Sequence, residues 1–176
     1  MSANKTIEDL LAGEIKDLYS AEKQLIKAIP KMAKGSKDST LQAAFLAHLK
    51  ETETQVTRLE EAAKLLGSTT GGKMCVGMEG CIKEGAEALE QGGEAHVVDL
   101  GIIGAGSRVE HYEMAGYTTA IALAQSIGAK EIVTLLQKSL AEEVAAEEKL
   151  RSISSNLLKS APTASKGTKT MKAVAG

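Results

Sequence analysis

Apolar side chains recur every three or four residues along most of this chain, the spacing of helices with one buried face. Ile7, Leu11, Leu18, Leu25 and Ile29 mark the first stripe and predict a helix from about Thr6 to Ala33. Thr6 followed by Asp9 resembles a capping box with a shorter acid, and Glu8 and Asp9 suit the positive end of the helix. Pro30 is expected to bend or weaken the last turn, and Gly35 to end it. Leu41, Phe45, His48, Thr52, Gln55, Val56 and Leu59 predict a second helix, capped by Asp38 or Ser39 and running to about Leu66. The short connection makes the two antiparallel neighbours.

Ser68 to Lys73, rich in Gly and Thr, reads as a loop, and Met74 to Gln91 as a shorter helix loosened by Gly77, Gly80 and Gly85. Gly92 and Gly93 break it. A long helix follows from about Glu94 to Ser126; its Gly101, Gly104, Gly106 and Gly116 suggest close approach by neighbouring helices. Ile132, Leu136, Leu140, Glu143, Glu147 and Leu150 mark the inward stripe of a last helix, about Lys130 to Leu158. Two helical hairpins joined by a crossover long enough to traverse the bundle predict an all-α, ferritin-like four-helix bundle with a short fifth helix in the crossover. The bundle is assigned to residues 1–158 and a Lys-rich tail to 159–176.

Composition supports this picture. Aromatic residues are 2% of the chain (Phe45, Tyr19, Tyr112 and Tyr117), so aliphatic side chains must fill the core. Cys75 and Cys81 are too few for a disulfide framework and too far apart for a CxxC metal motif, so they read as free, reduced thiols. No apolar run approaches the roughly 20 residues of a membrane span. The first five residues lack the apolar core of a secretory signal, and the expected location is the cytoplasm. Net charge is −2, but no acid follows Glu148, whereas Lys149, Arg151, Lys159, Lys166, Lys169 and Lys172 do. The tail is expected to be disordered without a partner. It could touch nucleic-acid phosphates without reading bases, although solubilising charge is its plainer use.

The chemistry lies in acids on or beside the apolar stripes: Glu22 on the first helix, Glu51 on the second, Glu110 and Glu113 on the third long helix, Glu143 and Glu147 on the last. Carboxylates aimed into a bundle cost several kcal/mol unless neutralised, protonated or bound to metal. A layer drawn from all four long helices could share two divalent transition ions, with iron, manganese and zinc all suited to oxygen-rich ligands. The Glu-x-x-His pairs common in di-metal bundles are missing: Thr54 follows Glu51 by three residues, and Ala146 follows Glu143. Gln55 and Glu147, four residues after Glu51 and Glu143, offer oxygens in place of imidazole, and Gln55 is as suited to hydrogen-bonding a ligand carboxylate as to touching metal. His48 reads more readily as a satisfied core histidine than as a ligand, and Tyr19 and Tyr117 as core tyrosines within reach of the acids. His111, about 100° around the helix from Glu110, is placed on the outside or against a neighbouring helix.

Several segments together resemble the YciE/YciF ferritin-like stress-protein family. They are Thr6–Leu10, Asp17–Leu25, His48–Thr52, Gln55–Glu60, Met78–Gly80 and Val109-Glu-His-Tyr-Glu113, and the resemblance runs from about Thr6 to Leu158. It implies a rubrerythrin-like bundle, a homodimer, a di-metal site and a part in bacterial stress responses. It places Glu22, Glu51, Glu110, Glu113 and Glu143 at the positions of rubrerythrin-type carboxylate ligands. The expected function is metal or oxidative-stress handling, with reduction of peroxide or dioxygen as the expected chemistry. A non-enzymatic structural stress protein with a degenerate site, or a protein that binds the DNA backbone through its tail, are the alternatives.

Overall fold

The computed structural model describes residues 5–161. Most of the tail lies beyond them, so the expected disorder and the Lys166, Lys169 and Lys172 charges fall outside the described residues. Five helices follow one another: α1 (Ile7–Gly35), α2 (Ser39–Leu65), α3 (Val76–Gln91), α4 (Ala95–Ser126) and α5 (Lys130–Ser160). The chain thus forms the expected all-α bundle of four long helices with a short one in the crossover. Among the described residues, no helix is long and apolar enough to cross a membrane.

Local sequence sets the helix ends. The Thr6 side chain accepts from the Asp9 N–H at 3.1 Å, and Asp9 accepts from the Thr6 N–H at 3.2 Å, completing the capping box. Asp38 caps α2 by accepting from Leu41 N–H at 2.9 Å. Pro30 lies inside α1, and the helix continues past it to Gly35. Its missing N–H removes one hydrogen bond near the C-terminal end, where packing of Ile29 and Ala33 holds the turn.

α1 packs on α2 and α4 on α5, and the two hairpins face each other through α1–α4 and α2–α5 contacts. The α1–α2 turn meets the start of α4, where buried Asp99 accepts from the backbone N–H groups of Lys37 at 2.7 Å and Asp38 at 2.8 Å. Leu11, near the other end of α1, belongs to the same apolar cluster as Ala124. α1 and α4 therefore run antiparallel. Leu18 explains Gly116 of α4: a Cβ there would come within 2.8 Å of its Cδ2. A Cβ on Gly106 would stand 3.0 Å from Leu150, but one on Gly104 would meet almost nothing. Close approach thus accounts for some of the α4 glycines and leaves Gly104 unexplained.

Two apolar clusters fill the bundle, one around Phe45, Met78, Ile102 and Leu150, the other around Leu11, Leu59, Tyr117 and Leu136. The crossover is fastened by a polar knot at Cys75. Its Sγ lies 3.0 Å from both Asp17 Oδ2 and Tyr112 Oη, Tyr112 donates to the same Asp17 oxygen at 3.1 Å, and Lys73 pairs with Asp17 at 3.1 Å. Both cysteines are free, and burial with the Asp17 hydrogen bond pushes the Cys75 thiol up, so it stays protonated.

Candidate metal centre

Mid-bundle, each long helix turns polar side chains inward where helical spacing would otherwise place apolar ones. Glu22, Glu110, Glu113 and Glu143 are all buried, with His48, Thr52 and Gln55 of α2 beside them. Their backbone positions belong to the apolar stripes, so folding the stripes inward carries the acids in as well. One atom each from His48, Glu110, Glu113 and Glu143 falls within 4.8 Å of all the others. His48 Nε2 lies 3.5 Å from Glu110 Oε1 and 3.7 Å from Glu143 Oε2. Tyr117 donates to Glu22 Oε1 at 2.5 Å, and the Gln55 amide donates to Glu143 Oε1 at 2.5 Å.

Electrostatically the group is under pressure. Burial, then the charges of Glu22 and Glu51, push the Glu110 carboxyl up to about 8, with the hydrogen bond to Glu143 acting the other way. Burial also drives Glu22, Glu113 and Glu143 well above the carboxylate range. The next cause is Glu143 for Glu22, Glu22 for Glu113, and Glu110 for Glu143. Without an ion, burial and the neighbouring acids favour the protonated forms of these groups.

The residues fit a metal on three counts. His48 Nε2, Glu110 Oε2, both oxygens of Glu113 and Glu143 Oε2 are buried without a hydrogen-bond partner. Donors each about 2.1 Å from one transition ion stand at most about 4.2 Å apart, and about 3.4 Å in a tetrahedral set, so closing this group takes movements of up to about an ångström. The donor set of one imidazole and several carboxylates is also one that divalent transition ions accept.

The other sequence-predicted residues lie around this group. The Glu51 side chain is 45% exposed, and its Oε2 contacts His48 Nδ1 at 3.2 Å. Glu147 is largely covered but pairs with Arg151 at 2.6 Å on the next turn. Tyr19 donates to exposed Glu60 at 3.2 Å, whereas Tyr117 sits at the centre. His111 is outside, as expected, bonded to the Ser107 carbonyl at 2.8 Å. His48 is where expectation and structure part. Far from being satisfied, its Nε2 is unpartnered and aimed at two carboxylates.

Sequence reasoning also missed Arg58, Ser139 and Glu142. Arg58 grips Glu142 through both oxygens, at 2.6 and 2.7 Å, and reaches Ser139 at 3.3 Å. Glu142 in turn accepts from Gln55 at 3.1 Å. The only sequence signal was that Gln55 and Arg58 are one turn apart on α2, as are Ser139 and Glu142 on α5.

A cavity of about 270 Å³ between α2 and α5 leads from the surface to the centre. Ala44, Ala47, Ala145 and Ala146 keep it open, and it ends on His48, Glu51 and Glu110. Small side chains on both helices are what leave this gap. The centre is therefore reachable by an ion or a small molecule.

Comparisons with known proteins agree with this architecture. The chain is 39% identical over 153 residues to Protein YciF of Escherichia coli, covering 86% of this chain and 92% of that protein. The crystal structure of the E. coli stress protein YciF superposes with a TM-score of 0.87 at 37% identity, over 90% of this chain and 100% of that one. YcfI of Rhodopseudomonas palustris, proposed to be a structural protein, matches with a TM-score of 0.81 at 39% identity, over 84% of this chain and 94% of its own. A Xanthomonas campestris protein shares the fold at 19% identity and a TM-score of 0.69, over 88% of this chain and 94% of its own. The model of a domain of unknown function, DUF892, matches residues 6–162, and the chain belongs to that family of YciF-like proteins.

Proposed function

We propose that this protein binds a divalent transition metal in its buried His/Glu group and serves metal handling under stress, in the cytoplasm and as a homodimer. One observation carries the reading: the unpartnered Nε2 of His48, buried among carboxylates whose oxygens also lack partners. A bundle without a ligand would be better served by apolar side chains there. In the bound form His48, Glu110, Glu113 and Glu143 hold the ion. Glu51 accepts from His48 Nδ1–H, which leaves Nε2 as the coordinating nitrogen. The alanine-lined cavity admits small species, and the surrounding apolar clusters exclude bulk water. A bound iron or manganese would supply electrons to peroxide or dioxygen, the chemistry by which metal binding would serve oxidative stress.

Elemental analysis of protein purified without added metal tests this. The expected result is a transition ion that survives desalting in the native chain and is lost in the Glu110→Gln, Glu143→Gln double variant, with helical content unchanged. A stable native protein that stays metal-free in the presence of Fe²⁺, Mn²⁺ and Zn²⁺ would defeat the proposal and favour the structural reading suggested for the R. palustris relative.

A further inference from the structure

The centre is lopsided, and its lopsidedness concerns how many ions it holds. Glu143 Oε1 is taken by the Gln55 amide at 2.5 Å, while Oε2 faces His48. That amide cannot turn over without loss. Its nitrogen also donates to Glu142 Oε2 at 3.1 Å, and an amide oxygen in its place would face two carboxylates. Glu142 is itself clamped by Arg58. Glu22 is committed in the same way, its Oε1 accepting from Tyr117 at 2.5 Å.

A carboxylate shared between two ions needs one oxygen for each. Glu143 Oε2 and Glu22 Oε2 are the oxygens left without a partner; Oε1 of each already accepts one hydrogen bond, which makes it the weaker donor to a second ion. α2 brings a single imidazole; after His48 its buried face continues with Thr52, whose hydroxyl bonds the His48 carbonyl at 3.1 Å, and Gln55. Beyond the His48 group the described residues offer oxygens of Glu22, Glu113 and Gln55 but no second imidazole. Arg58 holds both oxygens of Glu142, so that carboxylate is not free to ligate a second ion.

We infer that the centre takes one transition ion, held by His48, Glu110, Glu113 and Glu143. The Arg58–Glu142–Gln55 chain and Tyr117 close the place where the second ion of a paired centre would sit. The inference rests on the metal-binding reading above. It also narrows that reading: one reducing ion supplies one electron, whereas peroxide needs two to become water, so the site is built for holding metal rather than for two-electron reduction.

The test is a titration of the metal-free, full-length protein with Mn²⁺, read by elemental analysis after desalting and by electron paramagnetic resonance. One ion per chain with the six-line signal of isolated Mn²⁺ is expected. Two ions per chain, or the signal of an exchange-coupled pair, overturn the inference while leaving metal binding intact. No bound ion removes both. Gln55→Glu should admit a second ion and produce the coupled signal, and a variant that stays at one ion rejects Gln55 as the closing group. Gln55→His, which adds a ligand without adding charge, carries the same test should the glutamate variant lose helical content.

Discussion

Asp99 and Glu113 are both carboxylates with almost no solvent exposure, yet their surroundings have little in common. Asp99 spends both oxygens on two backbone N–H groups and so ties the α1–α2 turn to the start of α4. Glu113 has no partner except other acids, Glu22, Glu110 and Glu143, and they push its carboxyl up. Asp17 resembles Asp99. Burial raises its carboxyl, but hydrogen bonds from Cys75, Lys73 and Tyr112 and the Lys73 charge outweigh that and hold it below the usual value. Acids at the ends and the crossover are satisfied and hold the fold together, while the acids at mid-bundle are held at a cost by the fold around them. That is the signature of a site.

The contrast breaks if removing the two kinds of acid has the same effect. Asp99→Ala strands two N–H groups and should cost about 2–4 kcal/mol. That is a fall of roughly 5–15 °C in the melting temperature of a chain this size. Glu113→Gln keeps the shape, removes a charge from the cluster and lets the new amide donate to neighbouring carboxylates. The metal-free variant should melt at the same temperature or higher, while its metal affinity falls. Calorimetry on metal-free samples of both variants decides the matter. A Glu113→Gln protein as damaged as Asp99→Ala would mean that the mid-bundle acids are structural.

pH sharpens the same contrast. Glu110 moves from 4.5 to about 8, and its buried partners also move up, so between these values the folded chain binds more protons than the unfolded one. Stability of the metal-free protein from these groups is therefore complete below about pH 4.5 and declines as pH rises through about 8. Asp17 acts in the opposite sense, its contribution being present above its ordinary value of 3.8 and lost as pH falls below it. Melting temperatures of the metal-free protein should thus fall by several degrees from pH 6 to pH 9. With metal bound the loss should shrink or vanish, because the ion replaces the protons. Equal slopes with and without metal would break the link between these acids and the ion.

How much of this was legible in the sequence follows the same division. Helix positions came from periodicity, which is local, and Glu22, Glu110, Glu113 and Glu143 lie well inside stripes that had to face inward. Glu51 and His48 were harder. His48 falls on the α2 stripe and Glu51 at its edge, but periodicity alone does not say whether the imidazole finds partners there. The approach of α5 decides it, by placing Glu143 opposite His48 and opening the alanine-lined cavity over Glu51. Asp99, Arg58 and Glu142 were invisible for a similar reason: their partners are 61 to 87 residues away in the chain, so only the folded bundle supplies them.

Glu51 itself supplies the mildest test, because it stands between the two kinds of acid. It is partly hydrated, so its charge costs little, and its contact with His48 Nδ1 points the imidazole at the buried carboxylates. Glu51→Gln retains an oxygen that can accept from Nδ1–H but loses the charge that strengthens the bond. The expected result is a metal affinity about 10- to 100-fold weaker, with the number of ions per chain unchanged, measured by competition with a chelator. Were Glu51 a direct ligand, the same variant would lose most of its binding. Were it only a surface acid, affinity would not move, and the imidazole would have to be aimed by the packing of α5 alone.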